Sequence, residues 1–233
     1  MFVKAKNYAL AYEKDFELKN LFSLEYIKKH ASNLCFKGGR GQTALFSLDN
    51  QDLVLRRYLR GGLWGKLMGD KFYRFAGDAH RAVDELNLLD KLLALNLPVP
   101  EPVIAREEAK GLFLYNSIII KQIKDSRDLS FIINHRALSQ EEFLSIGETL
   151  NRFFAAGLLH TDLNIRNILI DKNGKVYLID FDKCKLTSLS AADKEAMLSR
   201  LLRSFNKEVA TASYKVFFKA EDFAILKQAA LAR

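Results

Sequence analysis

The sequence predicts an α+β chain of two lobes, a small antiparallel-sheet lobe with one helix followed by a mostly helical, compact lobe. Three observations predict it. Apolar runs of strand length, separated by glycine and polar turns, crowd the first 123 residues, with one amphipathic helix among them. Beyond Lys124 the apolar residues recur at helical spacing behind N-terminal capping signals. One hairpin, preceded by a polar loop, interrupts those helices between residues 160 and 182. A chain of 233 residues, 49% of them apolar, is long enough to bury a core in each half.

Taken in order, residues 1–30 are mixed in charge and read as a leading strand and a short helix around Phe22–His30. Two strands follow within Leu34–Leu48, bracketing Gly38-Gly39-Arg40-Gly41. That run reads as a plain hairpin turn or as a cradle of backbone amides for phosphate, with Arg40 adding charge. Leu53–Arg56 reads as a third strand, whose alternation sends Val54 and Arg56 to one face and Leu53 and Leu55 to the other.

Residues 57–74 alternate basic and large apolar side chains and hold the only tryptophan, Trp64. They read as an ordinary loop and helix, or as a segment pressed into an anionic lipid interface. Stacking aromatics on a strand platform are not evident, which disfavours nucleic acid as the partner of this basic chain, net charge +8.

Ala79–Leu95 is an amphipathic helix with Ala82, Leu86, Leu89 and Leu93 on one face and Glu85 at its border. Asn96 and Pro98 end it, and Pro98–Pro102 is a stiff link. Gly111–Tyr115 and Ser117–Ile123 read as a strand pair. The lobe boundary is placed after Gln122, giving lobes 1–122 and 123–233.

Ser139-Gln140-Glu141-Glu142 is a capping box, opening a helix whose Phe143, Ile146, Leu150 and Phe153 face the core. Gly157 ends it. Ser190 to Asp193 caps another helix with Met197, Leu198, Leu201, Leu202 and Phe205 on its apolar side, and residues 208–233 read as helical too. His135 reads as a structural loop residue and His30 as a surface one. No run is long enough for a membrane span, and no signal peptide is evident at the N-terminus. Cys35 and Cys184 match no metal or redox spacing, which suits a reducing compartment.

The chemistry is concentrated in His160-Thr161-Asp162-Leu163-Asn164-Ile165-Arg166-Asn167 and in Asp180-Phe181-Asp182. Apolar runs at Ile168–Ile170 and Val176–Ile179 flank Asn173-Gly174, a strong hairpin signal. Folding that hairpin brings Asp162, Asn167 and Asp180 together, and such oxygen donors suit Mg²⁺ with phosphate oxygens. The pattern resembles the catalytic loop and metal-binding aspartate of the protein-kinase-like superfamily. The resemblance implies Asp162 as the base that accepts the hydroxyl proton, Asn167 and Asp180 as Mg²⁺ ligands, and His160 as a brace. It also implies ATP as phosphoryl donor, held by Gly38, Gly39, Arg40 and Gly41, by Arg56 paired to Glu85, and by the backbone at Gln122 and Ile123.

Arginine at 56 replaces the usual lysine, a one-residue register slip would move that role to Arg57, and Glu85 also reads as a plain surface residue. Asp182 stands where protein kinases keep glycine, and Asn164 where serine/threonine kinases keep lysine. Both changes, with little room for a peptide-binding segment after Asp182, point to a small-molecule or glycolipid hydroxyl. Joined with the runs Leu55–Leu63 and Glu85–Val103, the stretch from about Gly38 to Asp182 is similar to the 3-deoxy-D-manno-octulosonic acid (Kdo) kinases among the lipopolysaccharide core kinases. That likeness implies phosphorylation of the 4-hydroxyl of Kdo on Kdo-lipid A at the cytoplasmic face of a bacterial inner membrane. The basic, apolar segment after Arg56 suits peripheral contact with anionic lipid, and a monomer is expected. A heptose kinase of the same pathway, another small-molecule kinase, and a non-catalytic kinase-like binding module remain rival readings. The intact Asp162, Asn167 and Asp180 favour an enzyme.

Overall fold

The computed structural model describes residues 1–8, 10, 12, 14–37, 43–58, 72–73 and 80–232. Gly38 to Gly41 and Trp64 lie outside the described residues. The chain divides into two compact units, Met1–Lys91 with Pro100–Gln122, and Leu92–Val99 with Ile123–Arg233.

The first unit is an antiparallel sheet with helices. Its strands are β1 (Phe2–Lys4), β2 (Ser32–Lys37), β3 (Thr43–Leu48), β4 (Gln51–Arg57), β5 (Phe72–Tyr73), β6 (Pro102–Lys110) and β7 (Phe113–Lys121). They run in the order β1-β6-β7-β4-β3-β2, with β5 also paired to β7. Alternation along β3 buries Ala44, Phe46 and Leu48, and along β4 buries Leu53 and Leu55. Two short helices, α1 (Asp15–Leu21) and α2 (Leu24–His30), supply Leu18, Leu21 and Ile27 to the same core, with Phe22 from the link between them. Burying each such side chain stabilises the unit by roughly 1.5–3 kcal/mol before conformational entropy is counted.

Two departures from the sequence reading occur here. Ser23 accepts from the Tyr26 N–H and starts a helix of its own, so the region expected to hold one short helix holds two. The strand pair expected at 111–115 and 117–123 is instead β6 with β7, joined at Gly111, whose φ is +59°. Phe113–Lys121 is one continuous strand. The charged run Arg106–Lys110 hides β6 from a search for apolar alternation, because only its first half is buried throughout. A third helix, α3 (Arg81–Ala94), buries Ala82, Leu86 and Leu89, and the Asn116 side chain of β7 accepts from the Ala82 N–H at 3.2 Å.

The second unit holds the three-stranded sheet β11-β10-β8, built from β8 (Ser126–Asp128), β10 (Ile168–Asp171) and β11 (Val176–Leu178). A two-stranded pair joins β9 (Leu158–Leu159) to β12 (Lys185–Leu186). Its helices are α4 (Leu129–His135), α5 (Gln140–Ala155), α6 (Ala191–Thr211) and α7 (Phe223–Ala230). Ser139 and Glu142 form the reciprocal cap that the sequence indicates, at 3.1 and 2.9 Å. His135 ends α4 rather than sitting in a loop.

The link 92–99 belongs to the second unit because Arg152 donates to the Asn96 carbonyl at 2.6 Å and the Leu178 N–H donates to the Pro98 carbonyl at 3.1 Å. The helical expectation for 208–233 holds only in part. Helix α6 stops at Thr211, and the Phe217 N–H donates to the Ile133 carbonyl at 2.7 Å while Phe218 stacks on Phe205. The rings of Phe217 and Phe218 are both half-buried.

Candidate active site

The hairpin β10–β11 fixes the candidate site residues. Ile168 pairs with Leu178 and Ile170 with Val176. The connecting turn is built by Asp171, whose carboxylate accepts from the Asn173 and Lys175 N–H groups at 2.8 and 3.0 Å, with Gly174 at φ +81°. Just outside the paired rungs, the Ile179 N–H donates to the Asn167 carbonyl at 3.0 Å, which places Asp180 one residue from Asn167's partner. Asn167 is buried, and its amide nitrogen donates to the Asp162 carbonyl at 2.9 Å. Asp162, Asn167 and Asp180 therefore come together in the second unit.

Each of the three is held differently. Asp162 is exposed. Asn164 donates from one amide nitrogen to both the carbonyl and the carboxylate of Asp162, at 3.0 and 3.1 Å, and accepts from the Arg166 N–H at 2.9 Å. The asparagine that departs from the serine/threonine kinase pattern thus orients the carboxylate. Asp180 adopts φ +65°, a left-handed backbone that an aspartate tolerates better than most residues. Buried Phe181 follows it, tilted against the His160 ring at 5.5 Å.

His160 is 2% exposed and spans the loop. Its Nδ1 accepts from the Asp162 N–H at 3.3 Å, so the proton sits on Nε2, which donates to the Ile179 carbonyl at 3.2 Å. Burial holds this ring below the usual histidine range, against the pull of the Ile179 carbonyl and the fields of Asp180 and Asp162. A neutral, doubly hydrogen-bonded imidazole ties the loop of Asp162 to the strand end before Asp180. The geometry gives it a bracing task.

The donor set fits a hard cation. With the Asn167 nitrogen committed to Asp162, its amide oxygen is the end available as a ligand, and Asp180 adds a carboxylate. Among the described residues no group of three or more His, Cys, Asp or Glu gathers as a metal cage. Magnesium in phosphoryl-transfer sites uses one or two protein ligands and completes its shell with phosphate and water.

In the first unit Arg56 and Glu85 meet at 2.7 Å, with Glu85 almost wholly buried and Arg56 19% exposed. Tyr58 donates a short hydrogen bond to the other Glu85 oxygen. Sequence reading missed Tyr58. The signal was available, because Tyr58 lies two residues beyond Arg56 and so emerges on the same strand face. The Gln122 N–H donates to the Asp52 carbonyl at 2.8 Å, and the Ile123 carbonyl accepts from Ser126 Oγ at 2.7 Å.

Among the described residues no helix is long and apolar enough to cross a membrane.

The chain matches the lipopolysaccharide kinase (Kdo/WaaP) family over residues 29–224. It is 37% identical to a 3-deoxy-D-manno-octulosonic acid kinase of Vibrio parahaemolyticus, covering 90% of this chain and 87% of the relative. It is 40% identical to that of Photobacterium damsela subsp. piscicida, covering 80% and 78%. It is 35% identical to that of Haemophilus influenzae, covering 81% of each. Among solved structures, WaaP in complex with acyl carrier protein shares the fold, with a TM-score of 0.58 at 11% identity, over 100% of this chain and 89% of that one. The chain belongs to the lipopolysaccharide kinase (Kdo/WaaP) family.

Proposed function

We propose that this protein transfers the γ-phosphoryl group of ATP to the 4-hydroxyl of a Kdo residue on Kdo-lipid A, in lipopolysaccharide core biosynthesis. The observation that carries the reading is the constellation of Asp162, Asn164, Asn167 and Asp180 around one hairpin, in a chain 35–40% identical to Kdo kinases.

The residues divide the work as follows. The Asp162 carboxylate, turned by Asn164, orients the sugar hydroxyl and takes its proton as the oxygen attacks phosphorus. Asn167 and Asp180 would hold Mg²⁺, which supplies charge neutralisation on the phosphates. His160 keeps the two parts of this constellation in register. In the first unit, Arg56 offers its guanidinium to the nucleotide phosphates while Glu85 and Tyr58 fix its direction. The backbone at Gln122 and Ile123 is the place for the adenine edge. With the Gln122 N–H already engaged, that contact falls to the neighbouring backbone groups. Gly38 to Gly41 would offer backbone amides to the phosphates. The basic, tryptophan-bearing segment 57–74 suits peripheral contact with an anionic bilayer, at the cytoplasmic face of the inner membrane, by a monomer.

The test is phosphate transfer from ATP to Kdo-lipid A, to a heptosylated acceptor, and with no acceptor, with the product position mapped by NMR. Phosphate on the Kdo 4-hydroxyl is the expected result. Transfer confined to a heptose would reassign the acceptor, and turnover with none of them would favour a binding module.

A further inference from the structure

Helix α6 runs beside the catalytic loop and touches it three times. Met197 Sδ accepts from the His160 N–H at 3.3 Å, Ser204 Oγ accepts from the Ile165 N–H at 3.1 Å, and Glu208 pairs with Arg166 at 3.4 Å. Residues 197, 200, 204, 207 and 208 recur at helical spacing, so Arg200 and Lys207 emerge along the flank that follows the loop, and Arg203 borders it. Arg200 sits between the Met197 and Ser204 contacts, and its charge reaches the His160 ring. Arg166, Arg200, Arg203 and Lys207 are all exposed. Arg166 is held by Glu208, whereas Arg200, Arg203 and Lys207 make no ion pair with the described residues.

A row of charges on a helix is usually a solvated face. This one is placed differently. It lies against the loop that presents Asp162, and the helix is anchored to that loop at both ends of the row. The acceptor named for the relatives is an octulosonic acid, so it carries a carboxylate that is ionised at neutral pH. Guanidinium groups bind carboxylates through two parallel hydrogen bonds, fixing orientation as well as adding affinity.

We propose that Arg200 and Arg203, with Lys207, form an acceptor subsite that takes the carboxylate of the sugar and so turns its hydroxyl toward Asp162. This rests on the sugar-kinase reading above. Phosphates on the lipid part of the acceptor offer the same anionic chemistry, and the test separates the two sources.

Transfer kinetics are measured for Arg200→Ala, Arg203→Ala and Arg200→Lys, with Lys28→Ala/Lys29→Ala on α2 as a charge-removal control, each checked for an unchanged melting temperature. Each is assayed with Kdo-lipid A, with the same acceptor esterified at the sugar carboxylate, and with the acceptor stripped of its lipid phosphates. The expected result is an acceptor KM about tenfold or more higher in both alanine variants, with a much smaller change in kcat. Lysine at 200 should restore part of the loss, and the control should match wild type. Esterification should raise the wild-type KM by a similar factor and leave little further loss for Arg200→Ala, while phosphate removal leaves the effect of the variants in place. An unchanged KM in the alanine variants, with wild type active, overturns the subsite alone. Loss that follows phosphate removal and ignores esterification overturns the carboxylate assignment. Absence of transfer to any Kdo acceptor by wild type overturns both the subsite and the function beneath it.

Discussion

Neighbours hold Asp162 in place, and the first predictions belong to them. Asn164 donates to its carboxylate and Asn167 to its carbonyl. Replacing Asn164 by Ala frees the carboxylate to rotate and should lower kcat by about tenfold or more, with little change in the KM for ATP. An unchanged kcat would show that the carboxylate needs no such support.

His160 makes the pH prediction. Burial holds its folded-state value below the ordinary 6.5. Below pH 6.5 the unfolded chain therefore binds that proton more readily than the folded one. Its contribution to stability is present above that pH and is lost as pH falls toward the folded value. Nitrogen NMR at pH 6.5 should show His160 predominantly neutral and protonated on Nε2; a predominant imidazolium there would contradict the account.

At this scale the site was largely legible. Spacing alone assembled Asp162, Asn167 and Asp180, because a hairpin with a strong turn signal fixes what lies at its mouth. Asn164 was visible only as a departure from a pattern. Strand alternation put Tyr58 on the face of Arg56, but its bond to Glu85 was not legible, because a side chain's hydrogen-bond partner depends on burial that spacing does not encode.

At the scale of elements, helix caps and the hairpin were legible because their signals are local: Ser139 with Glu142, Ser190 with Asp193, and Asn173-Gly174. Strand β6 was not, since its charged second half imitates a loop. Nor was the end of α6, where Phe217 and Phe218 leave the helix to pack elsewhere.

Two glycines test the packing of these elements. Gly157 has φ +79°, and a Cβ there would stand 2.4 Å from the Thr187 carbonyl oxygen, where both residues flank the strand pair β9–β12. At Gly147 a Cβ would meet the Leu226 carbonyl oxygen of α7 at 2.5 Å. Alanine at either position should cost about 1–3 kcal/mol, read as a lower denaturant midpoint. A midpoint equal to wild type at Gly147 would show that α5 and α7 are not packed this closely.

For the whole molecule, charge sets the behaviour toward lipid. The core of the first unit joins α1 and α2 to the sheet, while the second unit carries the hairpin β10–β11. Net charge +8 and the basic segment 57–74 predict binding to anionic vesicles that weakens with salt. Cosedimentation with anionic but not zwitterionic vesicles is the expected result, and equal recovery with both would remove the membrane reading.

The central claim is that Asp162 is the base in phosphoryl transfer to a sugar hydroxyl, and single-turnover transfer from labelled ATP to Kdo-lipid A by the Asp162→Asn variant tests it most directly. The account predicts a rate lower by about 10²–10⁴, with ATP affinity near wild type in a parallel binding titration. Transfer by Asp162→Asn at the wild-type rate would contradict it.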